Sequence, residues 1–250
     1  MTPPLPDPSG KPGPEVAYTL KVSSAPIDPE NPNLGSKAPG PRQPDIIVAS
    51  PDPAMLDGAL TEPGLALLFA VAGTALGAYQ SIFNMIPYRL TGAPYNLATW
   101  MVSLIFLVNL FGSFSASVSG TLAARLGRRT VAPLGGVILL AGALLTLAQP
   151  LWAVFAGLIV FTVGFFAVHS VAAGWVTARA VSGVGAPGQA SSAYSIMYYA
   201  GGSFFGTIAG FGWGALGWKG VVLVAGILAL AVIALTLILR KVKPLTSSGY

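Results

Sequence analysis

The chain has 250 residues, of which only 8% are charged and 54% are hydrophobic. A soluble domain usually carries about a quarter charged residues, so this composition excludes an ordinary water-soluble protein. There is no cysteine, which excludes disulfides and thiolate metal sites, and the net charge is +5. The basic residues lie between apolar runs, which is typical of the loops of a membrane protein and not of a nucleic-acid-binding patch.

Residues 1–62 differ from the rest of the chain. They contain most of the 21 prolines and all eight acidic residues. Proline blocks helices and removes backbone donors, and few apolar residues remain there to offset the loss of chain entropy. We therefore predict a disordered, proline-rich tail over residues 1–62.

Six apolar runs of membrane-crossing length follow this tail. Each is long enough to span a hydrocarbon core of about 30 Å at 1.5 Å per residue. The sequence therefore predicts an all-α membrane domain over residues 63–243, with spans at about 64–87, 97–120, 131–148, 152–177, 189–213 and 220–239.

The basic residues predict the orientation of these spans. Six spans place both termini on one side of the membrane, and positive charge marks the cytoplasmic side. That side receives Arg125, Arg128, Arg129, Arg179, Arg240, Lys241 and Lys243, and the other side receives Arg89 and Lys219. We expect a multi-pass protein of the inner (plasma) membrane with both termini in the cytoplasm, Arg179 serving as a topology charge.

Small residues recur at helical spacing. Gly202, Gly206 and Gly210 repeat at every fourth position in the fifth run, a pattern that favours close helix packing over contact with a substrate. In the first run, Gly73, Gly77, Gln80 and Asn84 share one helix face. This face is typical of a helix that lines a polar cavity.

The loop after the second run reads Gly-Thr-Leu-Ala-Ala-Arg-Leu-Gly-Arg-Arg over residues 120–129. It resembles the G-x-L-a-D-r-x-G-R-R signature of the major facilitator superfamily, with Ala124 standing where the family usually has Asp. The matching residues are Gly120, Leu122, Arg125, Gly127, Arg128 and Arg129.

Further stretches are similar to the YnfM-type inner-membrane transporters of this superfamily. They are "NMIPYRL" near the end of the first run, "FAGLIVFTVGFFAVHSVAAGWVTARA", "GQASSAYSIMYYAGGSFFGTIAG" and "GWKGV". The resemblance covers residues 63–243. It implies the carboxy-terminal six-helix bundle of a twelve-helix transporter, without the corresponding amino-terminal six helices.

His169 is the only histidine of the chain, and it lies within the fourth run. An ionisable side chain at that depth usually faces the bundle interior or a wet cavity. We leave two interpretations open: a proton-coupling site, or a neutral imidazole bonded to a polar side chain of a neighbouring helix. Because transporter sites lie near the midplane, the candidate substrate-cavity residues are Gln80, Asn84, Asn109, His169, Tyr198 and Tyr199.

These observations favour half of a secondary transporter that moves a small organic solute by alternating access, with efflux left open as one direction of transport. The partners would be membrane lipid, an unidentified solute and a second six-helix bundle, supplied by a separate chain or by self-association. The alternative is a non-transporting membrane subunit or a truncated remnant. We expect no nucleic acid, cofactor, metal or catalytic residue, because the chain has no Gly-x-Ser-x-Gly elbow and only one histidine.

Overall fold

The computed structural model of the chain describes residues 57–58, 60–183 and 187–243. These residues form six long helices: α1 (Pro63–Thr91), α2 (Thr99–Leu126), α3 (Arg128–Leu145), α4 (Leu151–Gly183), α5 (Pro187–Leu216) and α6 (Trp218–Leu239). No strand occurs among the described residues, so the predicted all-α fold is confirmed. Residues 1–56 and 59 of the predicted disordered tail lie outside the described residues.

Each predicted apolar run overlaps one helix, and several helices continue beyond their runs into polar residues. α4 extends to Gly183 and so includes Arg179. α1 begins at Pro63, and the carboxylate of Glu62 caps it by accepting a hydrogen bond of 2.7 Å from the backbone N–H of Leu65. Residues 57, 58, 60 and 61 are helical as well, so the helical part begins before the predicted boundary at residue 63.

Five helices, α1 to α4 and α6, are long and apolar enough to cross a membrane. α5 has 30 residues, which is also sufficient length. It is less apolar because exposed hydroxyl-bearing residues follow one of its flanks, at Ser191, Ser195, Tyr199, Ser203 and Thr207. The described helices thus form a multi-pass membrane protein, in which α5 combines span length with a polar flank.

α1 and α4 occupy the middle of the bundle. α1 packs against α2, α4, α5 and α6, whereas α4 packs against α1, α2, α3 and α5. Their inward side chains are fully buried, for example Leu68 and Ile82 of α1 and Leu158 and Phe161 of α4. α3 and α6 pack against each other on one side. Side chains on α1 and α4 are therefore the most firmly positioned.

Pairs of glycines bring helix backbones into direct contact at two seams. A β-carbon on Gly201 of α5 would overlap the backbone of Gly73 in α1, and one on Gly220 of α6 would overlap that of Gly212 in α5. Close approach of this kind compensates for the absence of a hydrophobic drive between helices in lipid.

The predicted packing glycines of α5 have different surroundings. Gly202 lies against Leu76 and Gly206 lies against Asn84, both on α1. No heavy atom lies within 4 Å of the position that a β-carbon of Gly210 would take. The stripe therefore faces α1 over its first two members.

The bundle has two ends, which the connections define. The terminal end carries the start of α1 at Glu62, the α2–α3 connection at Gly127 and the residues after α6. The distal end carries the connections 92–98 and 146–150 and Gly217, between α5 and α6. Gly127 and Gly217 have φ values of 85° and 59°, in the region that favours glycine, and at each of them the chain leaves one helix for the next.

Candidate functional site

His169 lies where α4 meets α5. Its Nδ1 atom is 3.1 Å from the hydroxyl oxygen of Tyr194. Its ring lies 4.7 Å from the ring of Tyr198, and 5.9 Å from that of Phe165, to which it is nearly parallel. The side chain is half-buried. One hydrogen bond and two aromatic rings therefore hold the imidazole while part of it stays accessible.

Tyr79 joins this cluster from α1, and sequence reasoning missed it. Its hydroxyl donates a hydrogen bond of 2.6 Å to Oδ1 of Asn109 in α2. Its ring lies 4.2 Å from that of Phe83 and 4.3 Å from that of Phe165. The usable signal was a phenol inside an apolar helix, because a buried tyrosine hydroxyl usually has a hydrogen-bond partner. Asn109 and His169 are thus linked through Tyr79 and Phe165.

Gln80 and Asn84 lie along the seam between α1 and α5. The Cβ of Gln80 and the amide of Asn84 both contact the β-carbon position of Gly206. Gln80 is half-buried and Asn84 is exposed. The helix face predicted to line a cavity therefore packs on α5, and the two amides emerge at the edge of that contact.

The predicted cavity residues on α5 differ in their surroundings. Tyr198 is half-buried and contacts His169, whereas 67% of Tyr199 is exposed. The two tyrosine rings meet edge to face at 5.2 Å. The structure thus brings Asn109, His169 and Tyr198 into one cluster and leaves Tyr199 beside it.

The exposed surface next to this cluster carries polar side chains among apolar ones such as Leu110, Phe114 and Ile196. On α2, Ser113, Ser117 and Thr121 follow Asn109 at four-residue spacing, and all three are exposed. The hydroxyl flank of α5 follows in the same way from Ser191 to Thr207. Asn109 reaches α1 through Tyr79, and Tyr198 reaches α4 through His169, so both flanks border the paired central helices. We call this side the front.

The side formed by α3 and α6, which we call the back, is aliphatic. Its exposed large side chains are Leu134, Val137, Leu144 and Leu145 on α3 and Leu223, Ile227, Leu230, Leu237 and Ile238 on α6. Such a surface matches lipid tails. The front instead adds hydroxyl, amide and imidazole groups to its apolar side chains, and several of the hydroxyls bond to carbonyl oxygens of their own helix, for example Ser117 to Ser113 and Thr207 to Ser203. Polar and ionisable side chains within a membrane usually face other helices or a wet cavity, so this side fits contact with water or protein.

Arg179 holds the terminal end together and is not a free topology charge. Only 5% of its side chain is accessible, and it forms a two-pronged ion pair with Glu62, from Nε to Oε2 at 2.7 Å and from Nη2 to Oε1 at 2.6 Å. Its Nη1 also donates to the carbonyl oxygen of Lys243 at 3.3 Å. A β-carbon on Gly64 would overlap the guanidinium. Arg179 therefore joins α4 to the start of α1 and the chain after α6.

The environment of Glu62 favours its charged form. Burial acts in the opposite direction and raises the pKa of this carboxyl. Hydrogen bonds from the Arg179 side chain and from the backbone of Gly64 and Leu65 outweigh it, with the positive charge of Arg179 adding to them. The net effect holds the pKa of Glu62 below its ordinary value of 4.5.

The signature loop also lies at the terminal end. Arg125 and Arg128 are exposed, and Nη2 of Arg129 donates a hydrogen bond of 2.6 Å to the carbonyl oxygen of Val242. Leu122 packs on a small apolar cluster of α2, α3 and α4, whereas Gly120 has no neighbour within 4 Å of its β-carbon position. One arginine of the loop thus ties α3 to the residues after α6.

Arg89 organises the distal end. Its guanidinium donates to the carbonyl oxygens of Thr146 and Ala148 and, at 3.2 Å, to the hydroxyl of Tyr95. It also lies 4.8 Å from the ring centre of Trp218. Arg89 thereby connects the end of α1 to the α3–α4 connection and to the start of α6.

The described residues contain no group of three His, Cys, Asp or Glu side chains that could hold a metal ion.

No family model and no solved structure matches the chain. Several curated proteins do match the chain. The chain is 41% identical to the MFS-type transporter YybF of Bacillus subtilis (strain 168) over 167 residues, which are 67% of this chain and 41% of that protein.

Two further relatives agree with the first. The inner membrane transport protein YnfM of Escherichia coli (strain K12) is 40% identical over 158 residues, covering 63% of this chain and 37% of that protein. A transporter of Buchnera aphidicola subsp. Schizaphis graminum (strain Sg) is 34% identical over 182 residues, covering 73% of this chain and 43% of that protein.

The fold defines an α-helical multi-pass membrane protein. The comparisons relate it to transporters of the major facilitator type, so the resemblance predicted from the sequence is confirmed. The chain spans between 37% and 43% of the length of these three relatives.

Proposed function

We propose that this bundle is one half of a secondary transporter that moves a small organic solute across the inner membrane. The solute would pass along the front, between this bundle and a second six-helix bundle on the same or another polypeptide. Alternating access would come from one bundle rocking against the other around a shared central site.

The unequal exposed surface is the observation that carries this proposal. The large exposed side chains of the back are leucine, isoleucine and valine, whereas the front exposes hydroxyls, amides and part of an imidazole among its apolar side chains. Amide and imidazole groups on a membrane-spanning surface usually face a partner bundle or a water-filled passage. An inert helical subunit has no need for that asymmetry.

Within this passage we propose His169 as a proton-coupling residue. Helices α1 to α6 contain no carboxylate, and the side chain is half-buried beside Tyr194 and Tyr198. Imidazole is the side chain that titrates nearest neutrality. A change in its protonation would alter its bond to Tyr194, and with it the contact between α4 and α5.

The natural absence of cysteine permits a direct test of the passage. Single variants Ser117→Cys and Ser203→Cys place a thiol on the front, and Leu230→Cys places one on the back. In native membranes we expect a water-soluble maleimide to label both front positions several-fold faster than the back position. Equal and slow labelling at all three would contradict a wet front.

Proton coupling requires a separate test. His169→Gln keeps hydrogen-bonding groups but cannot titrate in this range, so we expect folded protein whose transport of an identified solute no longer depends on pH. Ser170→Ala, a change at the next residue, serves as the matched control and should keep the wild-type pH profile. Superimposable profiles for the wild type and His169→Gln would remove the proton-coupling role and leave the passage untouched.

A further inference from the structure

A groove of about 1010 Å³ opens at the distal end of the bundle, on the back. Leu144 of α3 and Leu223, Ile227 and Leu230 of α6 line it, and each is more than half exposed. None of the residues of the His169 cluster lines this groove. It is therefore a separate feature from the front.

Two cationic side chains lie among the residues that line this groove. Lys219 is exposed, and Arg89 is held by carbonyl oxygens and by the hydroxyl of Tyr95. The sequence from Pro63 onward contains no carboxylate, so no acidic side chain of the helices balances these charges. The groove thus combines an apolar channel with an excess of positive charge at one end.

Tryptophan side chains place that end at the level of lipid headgroups. Trp213 and Trp218 line the groove near the α5–α6 connection. Tryptophan is enriched where the hydrocarbon core meets water. The cationic end therefore lies at headgroup depth, and the leucine-lined part lies at the depth of acyl chains.

We propose that this groove binds an anionic phospholipid. Its phosphate-bearing headgroup lies beside Arg89 and Lys219, and one acyl chain runs between α3 and α6. The uncompensated charge selects an anionic headgroup over a zwitterionic one, and the exposed aliphatic side chains match an acyl chain. A small soluble anion would leave the apolar length of the groove unfilled.

Headgroup selection can be measured on the full chain, purified in detergent and depleted of lipid. Phosphatidylglycerol should raise the thermal unfolding midpoint, and the number of lipids retained in native mass spectrometry, more than phosphatidylcholine of the same acyl chains. One basic residue near a membrane surface changes affinity for anionic lipid by about fivefold. Lys219→Gln should weaken phosphatidylglycerol binding by about that factor, whereas Lys241→Gln, an exposed lysine at the terminal end, should not.

The apolar part of the groove has its own test. Gly226 lines the groove, and a β-carbon there would make only ordinary contact, its nearest atom being a methyl of Leu140 at 3.8 Å. Gly226→Leu should reduce retained phosphatidylglycerol several-fold, and Ala234→Leu on the same helix, outside the groove, should leave it unchanged. Equal stabilisation of the wild type by both lipids, or full binding by Gly226→Leu, would overturn the proposal.

Discussion

Arg179 shows what a single residue contributes to this fold. In the sequence it is one basic residue among several on the predicted cytoplasmic side, and Glu62 falls in the predicted tail. Topology alone places both at the same end of the bundle. Their pairing across 117 positions depends on how α4 packs against the start of α1, which no local pattern encodes. The Glu-Pro-Gly start of α1, with its acidic cap before proline, was the one usable local signal.

The ion pair predicts a pH dependence of stability. The folded-state pKa of Glu62 lies below the ordinary value of 4.5. The pair therefore stabilises fully above that value and loses its effect as the pH falls through the folded-state pKa. Glu62→Gln leaves Arg179 largely buried without its counter-charge. At pH 7 we therefore expect the free energy of unfolding to fall by an amount at the lower end of about 3–5 kcal/mol.

Thermal unfolding followed by tryptophan fluorescence checks this expectation. The difference between the wild type and Glu62→Gln should be constant from pH 6 to 8 and should shrink below the ordinary pKa of 4.5. Asp57→Asn alters an exposed carboxylate at the same end and should have little effect at any pH. A difference that persists undiminished to pH 3 would mean that the charge of Glu62 is not what matters.

Most of the helices could be predicted, because length and hydropathy suffice to find membrane spans. All six predicted runs overlap observed helices, but the contacts between helices could not be read in the same way. The four-residue repeat identified Gly202 and Gly206, yet the closest approach of α5 to α1 is between Gly201 and Gly73. Periodicity shows which residues share a face, and only the packed bundle shows which neighbour that face meets.

The seam between α1 and α5 predicts a sharp contrast within one helix. Gly201→Ala should destabilise the bundle by about 1–3 kcal/mol, because its methyl would overlap the Gly73 backbone, which cannot rotate aside as a side chain can. In Gly210→Ala the added methyl would meet open space. Both changes gain the higher helix propensity of alanine, so the comparison isolates packing.

The midpoint of thermal unfolding for the two variants and the wild type measures this contrast. Gly210→Ala should match or slightly exceed the wild type, while Gly201→Ala falls below it. Equal midpoints would imply that α1 and α5 lie farther apart in the membrane than in this structure.

At the scale of the whole molecule, the positions of the basic residues and the directions of the helices are consistent with one orientation in the membrane. Arg89 and Lys219 lie at the distal end, and the signature-loop arginines lie at the terminal end with Arg179. Once one end of the bundle is assigned to the cytoplasm, the direction of each helix follows. Positive residues favour the cytoplasm, so α1, α3 and α5 should run outward, and α2, α4 and α6 should run inward.

Reporter fusions test this orientation, and α5 is the decisive element because its polar flank makes it the least apolar helix. If α5 crosses the membrane, a fusion after Gly183 should report a cytoplasmic position and one after Gly217 a periplasmic position. A fusion after Lys243 should report a cytoplasmic position, and one within residues 92–98 should report a periplasmic position. The same side for Gly183 and Gly217 would mean that α5 lies along the surface, and the front would then lose the hydroxyl flank on which the proposed passage depends.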